Sequence, residues 1–139
     1  MKEIFCDGAA VARIRGDGGI CGSVSFLPGG RGTLMVADVS GLPETETNFF
    51  AWHVHADGEC PGCGGHFDIC NQPHPRHAGD LPPLLSCGGR AWLAVMTQRL
   101  TLEDVVGRSV VIHRNPDDFK TQPRGNSGER IACGRICRI

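Results

Sequence analysis

The chain has 139 residues, enough for one core of ordinary size, so residues 1–139 read as a single domain. Hydrophobic residues make up 40%, which excludes a wholly disordered chain, and no apolar run approaches the ~18 residues a membrane-spanning helix needs. Lys and Arg number 14 against 15 Asp and Glu, a net charge of −1 that argues against a nucleic-acid partner.

In chain order, Ala10, Ala12 and Ile14 alternate with Val11, Arg13 and Arg15, which predicts a strand with one buried face. Gly16-Asp17-Gly18-Gly19 marks a turn. Ile20, Gly22, Val24 and Phe26 then alternate with Cys21, Ser23 and Ser25. After Pro28-Gly29-Gly30, Leu34 and Val36 alternate with Thr33, Met35 and Ala37, and Gly41-Leu42-Pro43 closes that strand. Further strands are expected at about 48–55, 91–97, 108–113 and 131–137. Residues 56–89 show no strand pattern and read as one long loop, and a loop of that length in a compact chain is usually functional. The one helical segment is Thr101 to Val106, capped by Thr101 with Asp104 three residues on and stopped by Gly107. Many short strands separated by Gly-rich turns predict an antiparallel all-β sandwich or barrel.

Five of the six His lie in or beside the long loop: His53, His55, His66, His74 and His77, with Asp80 just beyond; His113 ends a later strand. On a strand, His53 and His55 point to the same side and can converge on one metal. His74-Pro75-Arg76-His77-Ala78-Gly79-Asp80 packs two imidazoles and a carboxylate into a short span. Six His and one Asp exceed a single tetrahedral site, which takes four ligands. Imidazole suits zinc and copper alike, and a carboxylate suits zinc better than reduced copper. An economical partition is two sites sharing His66, which can offer one ring nitrogen to each.

Eight Cys are many for so short a chain and point to an oxidising compartment or to metal. Cys60-Pro61-Gly62-Cys63 matches the CxxC spacing of redox and zinc sites. Against that, Met1-Lys2-Glu3-Ile4-Phe5 lacks the apolar stretch of a secretory signal, so the expected place is the cytoplasm, or outside it if a leader has been removed.

The run His53-Val54-His55, then Gly65-His66-Phe67, then His77-Ala78-Gly79-Asp80-Leu81 resembles the copper/zinc superoxide dismutase family. So do Val111-Ile112-His113 with Asp117-Asp118, and Gly125-Asn126-Ser127-Gly128-Glu129-Arg130-Ile131-Ala132-Cys133-Gly134, in order from about Ala10 to Ile136. The resemblance implies an eight-stranded Greek-key β-sandwich or barrel. It implies copper held by His53, His55, His66 and His113, and zinc held by His66, His74, His77 and Asp80, with His66 as the bridge. Asp117 would hydrogen-bond ligands of both sites. Arg130 would attract and orient the anionic substrate, superoxide, which is converted to dioxygen and hydrogen peroxide with a proton from His66. Cys60 and Cys133 would form the family's disulfide, while Cys6, Cys21, Cys63, Cys70, Cys87 and Cys137 match nothing in it. A small-molecule substrate is then the only partner required, and a homodimer is compatible.

Some positions depart from the pattern. Only Pro75 and Arg76 separate His74 from His77, and the 117–130 loop is short. Arg124 stands where many relatives carry Thr, and Arg114 where an acidic residue is common; with Lys120 they add positive charge near the copper side. Two rival readings stay open: a metal-buffering protein with this fold and little turnover, and a structural zinc protein using Cys60, Cys63 and nearby His.

Overall fold

A computed structural model describes residues 9–60 and 62–139. The strands are β1 (Ala10–Gly16), β2 (Cys21–Gly29), β3 (Gly32–Ser40), β4 (Phe49–Phe50), β5 (Trp52–His55), β6 (Leu84–Cys87), β7 (Arg90–Thr97), β8 (Ser109–His113) and β9 (Arg130–Arg138), with one short helix, α1 (Leu102–Val105), between β7 and β8. Every pairing is antiparallel, and the spatial order is β4-β6-β7-β3-β2-β1-β9-β8-β5.

The two ends of that order, β4 and β5, are separated in the chain by Ala51 alone. The sheet therefore curls until its edges meet, the barrel-like closure that removes free strand edges. Counted as one strand broken at Ala51, β4 and β5 give the expected eight. The break has a cause. Ala51 donates its N–H to the Asn115 carbonyl and accepts the His113 N–H, so its backbone spans the end of β8 and the residues just past it instead of keeping the regular ladder spacing.

The buried faces follow the alternation. Ala10, Ala12, Ile14, Val24 and Phe26 point inward, as expected. In β3 the inward face is Thr33, Met35, Ala37 and Val39, while Leu34 and Val36 are only half-buried. Thr33 tolerates the core because its hydroxyl donates to the Leu100 carbonyl at 2.9 Å.

The reading of residues 56–89 as one loop needs a correction, since β6 lies within it. It pairs with β7 through Ser86↔Ala91 and Cys87↔Arg90 around the Gly88-Gly89 turn, and Leu84 is buried. Thr101 and Asp104 form a reciprocal capping box at α1, as the spacing predicts. Among the described residues no helix is long and apolar enough to cross a membrane.

Candidate metal centre

All four residues of β5 are buried, so His53 and His55 enter the interior as part of the barrel wall. The long loop folds back along this strand. Phe67 donates to the Val54 carbonyl, Val54 to Gly79, Gly79 to Phe67 and Ala56 to Gly65, each at 2.8–2.9 Å. That irregular pairing brings His66 opposite His55 and Asp80 opposite His53. On the other side, β8 pairs with β5 and carries His113 at its end. A bulge between β8 and β9 sets Arg130 opposite His113. Strand pairing alone thus gathers residues far apart in sequence.

The rings face one another. His55 Nε2 lies 3.3 Å from His113 Nε2, and the His53 and His66 rings stack with centroids 3.9 Å apart. His66 Nδ1 lies 2.8 Å from Asp80 Oδ1 and 3.3 Å from His77 Nδ1. His74 Nδ1 and His77 Nδ1 each approach Asp80 Oδ2 at 3.1 Å. Two sets of donor atoms lie within 4.8 Å of one another: His53, His55, His66 and His113, and then His53, His66, His74 and Asp80. His77 joins the second set through the contacts just given. All six His and Asp80 are brought together, and His53 and His66 each belong to both sets.

The outer nitrogens are tied to protein acceptors. His55 Nδ1 bonds the Gly64 carbonyl at 2.8 Å and His113 Nδ1 the Gly128 carbonyl at 3.2 Å. Asp117 takes His53 Nε2 at 2.9 Å on one oxygen and His74 Nε2 at 2.7 Å on the other. This fixes which nitrogen carries the proton and leaves the other free. Three of those free nitrogens, His53 Nδ1, His66 Nε2 and His74 Nδ1, are buried without a hydrogen bond. An unsatisfied buried polar atom costs roughly 1–3 kcal/mol. Three of them in one cluster, each the atom a metal would need, fit metal ions at this place.

Burial keeps three of the imidazoles neutral. It pushes His55 down to about 2, with the Gly64 hydrogen bond opposing, and His113 down to about 3. His66 falls to about 4, again through burial, with its Asp80 hydrogen bond opposing. For Asp80 and Asp117 burial works the other way, yet hydrogen bonds from the histidines outweigh it and hold both carboxyls below their ordinary value. His55, His66 and His113 are thus neutral beside the ionised Asp80 and Asp117, the protonation state metal binding requires.

Several supporting groups act through the backbone or across long stretches of sequence. The Gly64 carbonyl accepts from His55 and also from Arg130 Nη2 at 2.6 Å, linking the two. Gly64 sits at φ +69°, the left-handed region, so the turn that aims this carbonyl favours glycine. Gln122 binds both backbone groups of His74, accepting its N–H at 2.9 Å and donating to its carbonyl at 2.6 Å. Arg99 donates to the Pro75 and His77 carbonyls. Gly125, at φ +67°, lies directly over the Asp117–His74 pair, where a Cβ would overlap Asp117 Oδ1 and His74 Nε2. Asp118 instead caps its own turn, accepting from the Lys120 and Thr121 backbones.

Cys60 and Cys133 form a disulfide across 73 residues, tying the loop after β5 to β9. Cys63 is a buried free thiol, while Cys21, Cys70, Cys87 and Cys137 are exposed free thiols. Cys6 lies outside the described residues. With Cys60 in the disulfide, the CxxC pair lacks the second thiol a structural zinc pair would use.

The sequence profile of the family described as copper/zinc superoxide dismutase matches residues 20–136. A superoxide dismutase [Cu-Zn] of Deinococcus radiodurans is 36% identical over 144 residues, covering 84% of this chain and 77% of that protein. Superoxide dismutase [Cu-Zn] 3 of Arabidopsis thaliana is 33% identical over 148 residues, covering 91% and 88%. A copper chaperone for superoxide dismutase from Mus musculus is 37% identical over 149 residues, covering 94% of this chain but only 53% of the chaperone, so the chain spans about half the length of that relative. The buried histidine groups, the carboxylate between them and the matched profile lead to one conclusion: the chain belongs to the copper/zinc superoxide dismutase family.

Proposed function

We propose that residues 1–139 act as one unit that disproportionates superoxide to dioxygen and hydrogen peroxide. Copper and zinc are the metals of the family, and the donor set suits them: imidazoles for both, and a single carboxylate on the zinc side. In this reading His53, His55, His66 and His113 hold copper, and His66, His74, His77 and Asp80 hold zinc. Bound copper supplies a one-electron couple able to oxidise one superoxide and reduce the next, while zinc is redox-silent.

The chain's own residues do the rest. Arg130 stands opposite His113 with its guanidinium held by the Gly64 carbonyl, so a fixed positive charge waits where the anion arrives. Lys120 and Arg124 are exposed on the adjacent loop. Arg124 lines an open cavity of about 320 Å³ with Gly128, whose carbonyl orients His113. In a chain of net charge −1, such local cations draw a small anion inward. Asp80 is ionised and accepts the proton on His66 Nδ1, which leaves Nε2 bare and buried; were a metal to take the place of that proton, Nε2 would be the atom that takes up a proton and gives it to the departing peroxide. Asp117 holds His53 and His74 in the tautomer that frees Nδ1 of each.

The observation that supports this reading is the convergence of six imidazoles and Asp80 into two adjoining donor groups that have His53 and His66 in common, with Arg130 opposite His113. The mouse relative named a copper chaperone supports a second reading, in which the chain holds and passes on copper with little turnover. Superoxide consumption by the copper- and zinc-loaded chain separates the two. The parent should turn over many superoxide molecules per copper, with a rate that falls as salt rises. Arg130→Ala should be slower and less salt-sensitive with both metals retained. Equal rates for the two at low salt would remove Arg130 from the mechanism.

A further inference from the structure

The CxxC cysteines are not used by the dismutase reading beyond one disulfide, and with Cys133 they make up the remaining donor cluster among the described residues. The sulfurs of Cys60, Cys63 and Cys133 all lie within 4.8 Å of one another, and Cys63 Sγ is 3.7 Å from Cys60 Sγ. Metal–sulfur bonds of about 2.3 Å set neighbouring sulfurs roughly 3.8–4.0 Å apart in tetrahedral or trigonal sites, so this spacing is that of a thiolate site. Cys63 is fully buried, although it sits in a polar Gly-rich loop, and its thiol points at the disulfide rather than at solvent. Arg15 pairs in register with Cys133, and Arg15 and Arg130 share a small cavity of about 120 Å³ with it. Asp17 lines the same cavity, so these groups leave one net positive charge toward the negative charge that three thiolates would gather.

We propose that, once the Cys60–Cys133 disulfide is reduced, Cys60, Cys63 and Cys133 form a third metal site that takes one Cu(I). The donors decide the metal. Three soft thiolates, with no fourth His, Cys or carboxylate in the group among the described residues, satisfy monovalent copper, whereas zinc asks for four ligands. The chemistry balances: two low-molecular-weight thiols give two electrons and two protons to the disulfide and leave as their own disulfide. Cu(I) then displaces up to three protons from the three thiols. Re-forming the Cys60–Cys133 bond removes two of the three donors, so the site exists in the reduced chain and is lost in the oxidised one. Cys63 is joined directly to Gly64, whose carbonyl holds His55 and Arg130, so copper taken here would sit beside the histidine cluster.

The experiment uses the full chain with Cys6, Cys21, Cys70, Cys87 and Cys137 changed to serine, so that only the three sulfurs in question remain. Reduced and oxidised samples are titrated anaerobically with Cu(I) against a coloured Cu(I) chelator, and copper–sulfur bonding is read by X-ray absorption. The reduced sample should hold one more Cu(I) per chain than the oxidised sample, on sulfur. Cys63→Ser should lose that extra copper while still forming the Cys60–Cys133 disulfide and keeping the parent's circular dichroism. Equal Cu(I) uptake by reduced and oxidised samples, or an extra copper that survives Cys63→Ser, would overturn the proposal. The test reads no superoxide consumption, so its outcome is independent of the dismutase reading.

Discussion

Asp117→Asn alters two metal groups through one atom. Asp117 accepts the Nε2 protons of His53 and His74 on separate oxygens, at 2.9 and 2.7 Å, and so leaves Nδ1 of both rings free. Asparagine keeps the size but has one acceptor oxygen and one NH₂ donor. Only one ring can then keep its Nε2–H bond. The other faces an N–H and must turn away or move its proton to Nδ1, the atom a metal needs. A buried hydrogen bond to a charged group contributes roughly 1.5–3 kcal/mol, which corresponds to about 10–100-fold in affinity. The usual cost of losing a residue that orients a metal ligand falls in the same range. Asp117→Asn should therefore weaken one metal strongly and the other little, whereas Asp117→Ala should weaken both. Chelator competition on the zinc-loaded and copper-loaded chain measures this. If Asp117→Asn bound both metals within about twofold of the parent, the tautomer argument would be wrong.

Gly125→Ala forces a side chain into the left-handed region and against the Asp117–His74 pair; it should cost about 1–3 kcal/mol and lower zinc affinity, both visible in melts with and without zinc. Without metal, stability should depend on pH through His55, His66 and His113, which burial holds at about 2, 4 and 3 while the unfolded chain protonates them near 6.5. The unfolded state binds more protons below 6.5, so stability is full above that value and falls with acidification from 6.5 down to about 2, by at most about 4 kcal/mol per pH unit and less steeply once His66 protonates near 4. Denaturant midpoints that stay flat from pH 7 to 5 would contradict the neutral, buried cluster. Cys60→Ser should lower stability by roughly 2–4 kcal/mol, about 10 °C in Tm, by opening a 73-residue closure.

Much of the centre is legible in the sequence because metal ligands are side chains of rare types. His53 and His55 share a strand face, His74, His77 and Asp80 share a short loop, and both patterns can be read before any fold is known. The capping box at Thr101 is equally local. What escapes is held by backbone or by register. Gly64 acts through a carbonyl that any residue type possesses, and only its φ marks it. Gln122 reaches His74 across 48 residues, with nothing in the 117–130 loop to announce it. β6 is hidden because Pro82-Pro83 precede it and only two ladder pairs join it to β7. The alternation of Leu34 and Val36 with Thr33, Met35 and Ala37 leaves the inward face of β3 open, and it is Thr33, Met35 and Ala37 that are buried, since pairing with β2 and β7 sets the facing. The break at Ala51 is likewise a property of the closed sheet rather than of the local residues.

The most direct test of the central claim is metal content and superoxide turnover measured on one sample of the chain loaded with copper and zinc. The account predicts close to one copper and one zinc per chain, and superoxide consumption that continues through many equivalents per copper. It also predicts that His113→Ala abolishes this turnover while zinc stays bound. Copper and zinc bound at these levels with consumption that stops after about one equivalent would contradict it, and would assign the chain to copper handling instead.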